Sequence, residues 1–127
     1  MNNYLSVIGR VLLAHIFLLA GLSKLGAGYA GTQGYMDAMG VPGALLPLVI
    51  LLEIGGGLAL LLGWKTRIVS LALAGFTVLA AILFHGNLAD QTHMIMFMKN
   101  MSITGGLLFV AAAVANPYSL DDYLKNR

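Results

Sequence analysis

The sequence predicts an all-α integral membrane protein: an antiparallel four-transmembrane-helix bundle with short interfacial helices. Three observations carry that expectation. The composition is 59% hydrophobic and only 9% charged, with mean hydropathy +0.87, whereas soluble domains carry about a quarter charged residues. Apolar runs recur at about residues 5–25, 45–63, 68–85 and 94–115, each near the ~20 residues that cross a hydrocarbon core at ~1.5 Å per residue. The connections are too short to enclose a soluble core, so residues 1–127 are expected to form a single membrane domain.

Composition also excludes several functions. A formal charge of +2 with scattered basic residues does not suit nucleic acid. With no cysteine there can be no disulfide, thiol relay or Cys-ligated cluster. No cofactor is encoded by a motif, so a redox role would need a bound cofactor or a partner. The glycines are not a dinucleotide fingerprint, because the strand and the acidic ribose partner are missing. The hydroxyl residues lack a base-plus-orienter arrangement for a hydrolytic triad.

The first run contains Arg10, His15 and Lys24. A basic residue before an apolar run also suits a signal peptide, a reading set aside because three further spans follow. On a 3.6-residue period Arg10, Ala14, Phe17, Gly21 and Lys24 share one stripe, a polar-and-small face along the whole helix. His15 is off that stripe. Residues 26–44 are glycine-rich, with Asp37 as the single charge. Thr32 is expected to cap a short helix to about Met39, with Tyr35, Met36 and Met39 on the bilayer surface.

The second run holds one acid, Glu53, and accepts Pro47 in its first turn. Gly63-Trp64-Lys65-Thr66-Arg67 is a tight basic turn with an interfacial tryptophan. The positive-inside rule makes it cytoplasmic, and with four spans both termini follow it there. Ser70, Ala74, Thr77 and Ala81 share a face of the third span, continued by His85. Residues 86–93 are a short polar loop. The fourth span carries Lys99 and Asn100 and is expected to close at Asn116-Pro117. Ser119 with Asp122 resembles the start of a short tail helix ending near Asn126-Arg127. Gly21, Gly55-Gly56-Gly57 and Gly105-Gly106 are expected to be close helix contacts.

Glu53 is the focus of the chemistry. An acid at that depth costs a few kcal/mol or more unless paired, and such residues usually face a bundle interior or a cavity. The topology puts Lys24 and Lys99 at the same end as Glu53, with Asn100, His85 and Tyr35 as hydrogen-bonding groups. The candidate site is therefore Glu53 as the proton-exchanging group, with Lys24, Lys99, Asn100, His85 and Tyr35 as ligand donors and Phe17 and Phe97 against an apolar ring. The bland alternative is a structural ion pair plus a snorkelling lysine that fixes helix register. Arg10 is read as a structural charge at the other end, with pairing to Glu53 as its alternative. Met94, Met96, Met98 and Met101 with His85 and His93 invite a copper(I) reading, but methionine clusters more often serve as adaptable packing, and no metal is assigned.

Gly21-Leu22-Ser23-Lys24, Gly31-Thr32, Tyr35-Met36, Met39-Gly40-Val41-Pro42, Glu53 with its glycines, Gly63 with Thr66-Arg67, His85 and Met98-Lys99-Asn100 resemble the DoxX family of small bacterial inner-membrane proteins. The resemblance implies a four-span protein of the inner membrane, often described as an oxidoreductase. The family name is shared with a subunit of an archaeal thiosulfate:quinone oxidoreductase, and some relatives are associated with responses to quinones and catechols. A quinone is itself a redox carrier, so an apolar site with Lys, Asn and His donors could hold one without another cofactor. The leading expectation is thus a binder of a quinone- or catechol-like lipophile, acting as an oxidoreductase subunit or in detoxification, with a redox partner protein or a second copy as companions. The alternatives are a non-catalytic assembly scaffold and a transporter of a small anion or lipid.

Overall fold

The computed structural model describes residues 3–113 and 119–125. Its elements are α1 (Asn3–Ser23), α2 (Ala27–Ala38), a 3₁₀ turn (Gly43–Leu45), α3 (Leu46–Leu62), α4 (Thr66–Phe84), α5 (Gln91–Ala112) and α6 (Leu120–Lys125). The four helices long and apolar enough to cross a membrane are α1, α3 with its preceding turn, α4 and α5. The expected spans differ from these by a few residues at their ends. The predicted fourth-span terminus at 114–115, its Asn116-Pro117 stop and the Asn126-Arg127 end of the tail lie outside the described residues.

Each spanning helix packs on the next: α1 on α3, α3 on α4, α4 on α5, and α5 back on α1 to close the ring. The α1–α5 seam is the most sparsely packed of these. Ala14, Phe17, Leu60, Leu73, Ala74 and Leu107 form the buried core. Many large apolar side chains point outward, Phe109 at 80% and Leu51 at 69% exposure among them. In water such a surface would aggregate; against acyl chains it carries no penalty.

The α1 stripe is the buried one: Arg10, Ala14, Phe17 and Gly21 are all buried, and Lys24 is half-buried at its end. Glycine brings α3 against it. A Cβ on Gly57 would lie 2.9 Å from Leu18 Cγ, and one on Gly21 would lie 2.6 Å from Ile54 Cγ1. Gly56 meets Leu73, and Gly106 meets Leu13. Gly55 and Gly105 face open space, against expectation, because adjacent residues on a helix are turned ~100° apart and cannot both face the same neighbour.

The interfacial helix begins earlier than expected. Its turn out of α1 uses Gly26 at φ +59°, and Thr32 lies inside α2. Thr32 is therefore not a cap; its hydroxyl donates back to the Gly28 carbonyl at 2.8 Å. Gly40 ends α2 at φ +81°, with Val41 N–H donating to the Met36 carbonyl. Asp37 and Gln33 then fasten α2 to the turn before α3. Gly43 N–H donates to Asp37 Oδ1 at 2.7 Å, and Gln33 Nε2 donates to the Gly43 carbonyl at 3.3 Å. Met36 is buried rather than lying on a lipid surface, because these ties hold α2 across the end of the bundle.

At the other end, α3 stops on Gly63 at φ +75°, with Trp64 N–H reaching the Ala59 carbonyl at 2.8 Å. Lys65 follows at φ +48°. The start of α4 is capped from far along the chain: Asp121 accepts from Lys65 N–H at 2.6 Å and from Thr66 N–H at 2.8 Å. Asp121 N–H in turn donates to the Gly63 carbonyl, and Ser119 Oγ caps α6 through Asp122 N–H. The α5 start has a local cap, Asp90, accepting from Thr92 N–H at 3.0 Å.

Candidate functional site

The site begins with Gly21. Its missing side chain lets α3 approach until a Cβ there would sit 3.2 Å from Glu53 Cβ. One turn later, at the end of α1, Lys24 leans back over that contact. Its ammonium lies 2.7 Å from Glu53 Oε1 and donates to the Ala20 carbonyl at 3.2 Å. Glu53 is 5% exposed. Two charges this shielded from water attract strongly, and each makes the other tolerable at that depth.

The pair forms part of the wall of a cavity of about 310 Å³ between the ring of spans and α2. Phe17, Phe76 and Phe84 supply its aromatic surface, and α2 roofs it with Thr32, Tyr35 and Met36. Tyr35 stacks on Phe84, with ring centroids 5.5 Å apart and planes 23° from parallel. Thr77, His85 and Asn100 complete the polar lining. Asn100 spends one N–H on the Thr77 carbonyl at 3.3 Å. His85 Nδ1 lies 3.2 Å from His93 Nδ1, so one ring donates and the other accepts. A mostly apolar chamber with a few convergent polar groups has the general make-up of a small-molecule site.

The DoxX family pattern matches residues 5–86. The chain belongs to the DoxX family. It is 52% identical over 121 residues to inner membrane protein YqjF of Escherichia coli (strain K12), covering 95% of this chain and 92% of that protein. It is 31% identical over 125 residues to inner membrane protein YphA of the same organism, covering 92% and 88%. No solved structure matches the chain. With its four apolar spans, this DoxX chain is a multi-pass inner-membrane protein. The matched segment contains Lys24, Tyr35, Glu53 and His85, whereas Asn100 lies beyond it.

Of the residues singled out from the DoxX sequence, the structure brings Phe17, Lys24, Tyr35, Glu53, His85 and Asn100 together around one cavity. It does not bring Lys99 there. Asn100 faces α4, so Lys99, turned ~100° away, is exposed beside Ile95, Met98 and Ser102 on the outer face of α5. Lys99 is therefore not the second cation expected beside Glu53, and among the described residues Lys24 is the one paired with it. Phe97 does not line the cavity; Phe76 and Phe84 do. Their spacing from Thr77 and Ala80 on α4 was the available signal. Met94, Met96 and Met98 are exposed toward the lipid side, and among the described residues no group of three or more His, Asp or Glu side chains converges.

Arg10 does not reach Glu53. It is 6% exposed at the opposite end, close to Gly63 and Ser119 and within electrostatic range of Asp121. Partial burial acts to raise the Asp121 carboxyl, but the Thr66 and Lys65 hydrogen bonds and the Lys65 charge outweigh it and hold it below the usual carboxylate range. Asp121 was not singled out as a site residue, and nothing local in the sequence marks it.

Proposed function

We propose that this DoxX-family chain works as one unit that binds a quinone- or catechol-like lipophile in the α2-roofed cavity, in electron transfer or detoxification. The observation that carries the reading is the buried Lys24–Glu53 pair set in an aromatic wall. Lys24, Asn100, His85 and Tyr35 offer hydrogen bonds to the ligand oxygens, and Phe17, Phe76 and Phe84 flank the ring. Glu53 holds the Lys24 ammonium at the cavity wall; its carboxylate takes up one proton that a ligand hydroxyl releases on oxidation and returns it on reduction. The ligand carries the redox chemistry and a partner protein exchanges its electrons. Lys65 and Arg67, by the positive-inside rule, put the α3–α4 turn and both termini on the cytoplasmic side, which sets the cavity toward the periplasmic face.

A transport reading fares worse. Ala14, Leu60, Leu73 and Leu107, each 0% exposed, fill the bundle between this cavity and the Arg10 end, and the buried hydroxyls of Ser70 and Thr77 are too few to make a continuous polar path through that apolar layer. The test of the binding reading is calorimetric titration of detergent-purified protein with ubiquinone-1. Wild type binds, and Glu53→Gln weakens binding about tenfold or more, the equivalent of one charge-assisted hydrogen bond. A Glu53→Gln protein with unchanged helicity that binds as tightly as wild type refutes it.

A further inference from the structure

At the α6 end of the bundle, α1 and α5, whose seam is the sparsest in the ring, leave a second cleft of about 510 Å³. We propose that this cleft seats a bilayer phospholipid with an anionic headgroup, its phosphate on Arg67 and Arg10 and one acyl chain along the groove between α1 and α5.

The chemical order along the cleft is the order along such a lipid. Toward the bilayer centre its walls are apolar, from Leu12 and Leu13 on α1 to Phe109 and Val110 on α5, and Gly106 packs against Leu13 there. The groove opens sideways between residues that face the hydrocarbon, Leu12 at 60% and Phe109 at 80% exposure, so an acyl chain reaches it without crossing water. At the interfacial end the lining changes to two guanidinium groups, Arg10 and Arg67, with the hydroxyls of Thr66 and Ser119. Planar guanidinium forks match phosphate oxygens in pairs. Arg10 is buried at the cleft wall and Arg67 exposed at its mouth, so one cation is fixed in place and the other free to close on a headgroup.

Asp121 is within electrostatic range of Arg10 but leaves Arg67 to the headgroup. Asp121 is turned to the Lys65 and Thr66 backbone N–H groups and does not line the cleft. A headgroup that carries its own ammonium would bring that cation against Arg67 at the cleft mouth, so a lipid with net negative charge is favoured over a zwitterionic one. Basic pockets between spanning helices are a recurrent way of holding anionic headgroups. The inference does not depend on what occupies the α2-roofed cavity.

The experiment is native mass spectrometry of the full chain released from detergent containing equal amounts of phosphatidylglycerol and phosphatidylcholine. The expected result is one retained phosphatidylglycerol, favoured about fivefold, the preference one arginine near a membrane surface supplies. Arg67→Gln removes the preference while leaving helicity unchanged, and Arg67→Lys keeps part of it. Ala112→Phe, which fills the groove without touching a charge, lowers retention of both lipids. Equal retention of the two lipids by wild type, a preference that survives Arg67→Gln, or retention indifferent to Ala112→Phe overturns the proposal. So does displacement of the lipid by millimolar inorganic phosphate, which would mark a site for a free anion in which the acyl chain plays no part.

Discussion

Removing Lys24 and Glu53 one at a time and then together is the most direct test of the site's construction. The ammonium and carboxylate are 2.7 Å apart, with Glu53 5% exposed. At an effective dielectric of about 20, two unit charges at about 4 Å attract by ~4 kcal/mol, and much of that offsets the cost of taking both out of water. Lys24→Met removes the attraction and leaves the carboxylate's desolvation cost in place, so it destabilises by about 3–5 kcal/mol. Glu53→Leu leaves the ammonium, half-buried and able to turn outward, so it costs less, about 1–2 kcal/mol. The double variant exchanges an ion pair for apolar contact in an already apolar wall and lands within about 1–2 kcal/mol of wild type. The single costs sum to about 4–7 kcal/mol, so the cycle predicts a coupling of about 5 kcal/mol, and no less than about 2, read from unfolding by sodium dodecyl sulfate in mixed micelles followed by circular dichroism. If the single costs simply add, with coupling below about 0.5 kcal/mol, the two groups are not acting on one another and the reasoning fails.

Two further perturbations probe the scaffold. Asp121→Asn removes the charge from two short backbone hydrogen bonds at the start of α4, costing about 1.5–3 kcal/mol at neutral pH. Because the native carboxyl titrates below its unfolded value, its contribution is complete above about pH 4 and disappears as pH falls through the native value; thermal unfolding across that range should show an acid-side loss in wild type that Asp121→Asn lacks. Gly57→Val forces β-carbon contacts at 2.9 Å from Leu18 Cγ and 3.2 Å from the Leu18 backbone nitrogen, where Gly55→Ala meets open space. The first is expected to cost about 2 kcal/mol or more by parting α1 from α3, the second to stay within about 0.5 kcal/mol, and equal effects would contradict the packing described.

The spans and their order were legible because length and apolarity are properties of whole runs. The α1 stripe was legible too, since polar and small residues are the ones that mark an inward face in lipid. The same logic explains the error at Lys99. In a membrane helix the outward residues are as apolar as the inward ones, so α5, with methionines on two opposite sides and Lys99 beside Asn100, offers no periodic contrast to choose between neighbours. Thr32 was misread as a helix start because a threonine hydroxyl serves equally well inside a helix, bonding back one turn as Thr77 and Thr104 also do. The glycine-rich segment, expected to be helical only from about Thr32, is helical from Ala27, and ties from Gln33 and Asp37 fasten it to the following turn. The lysine–glutamate contact was foreseeable from depth alone; the cap by Asp121 was not, being set by proximity across 55 residues of chain.

That last separation bears on how the protein is made. The turn between α3 and α4 emerges from the ribosome well before the carboxylate that completes it, so the two spans must first enter the bilayer with the Lys65 and Thr66 amides answered by water. The tail then docks as a latch on helices already inserted. A fusion partner or truncation that keeps α6 from folding back would leave insertion intact and show its cost only afterward, in a bundle that assembles but does not lock.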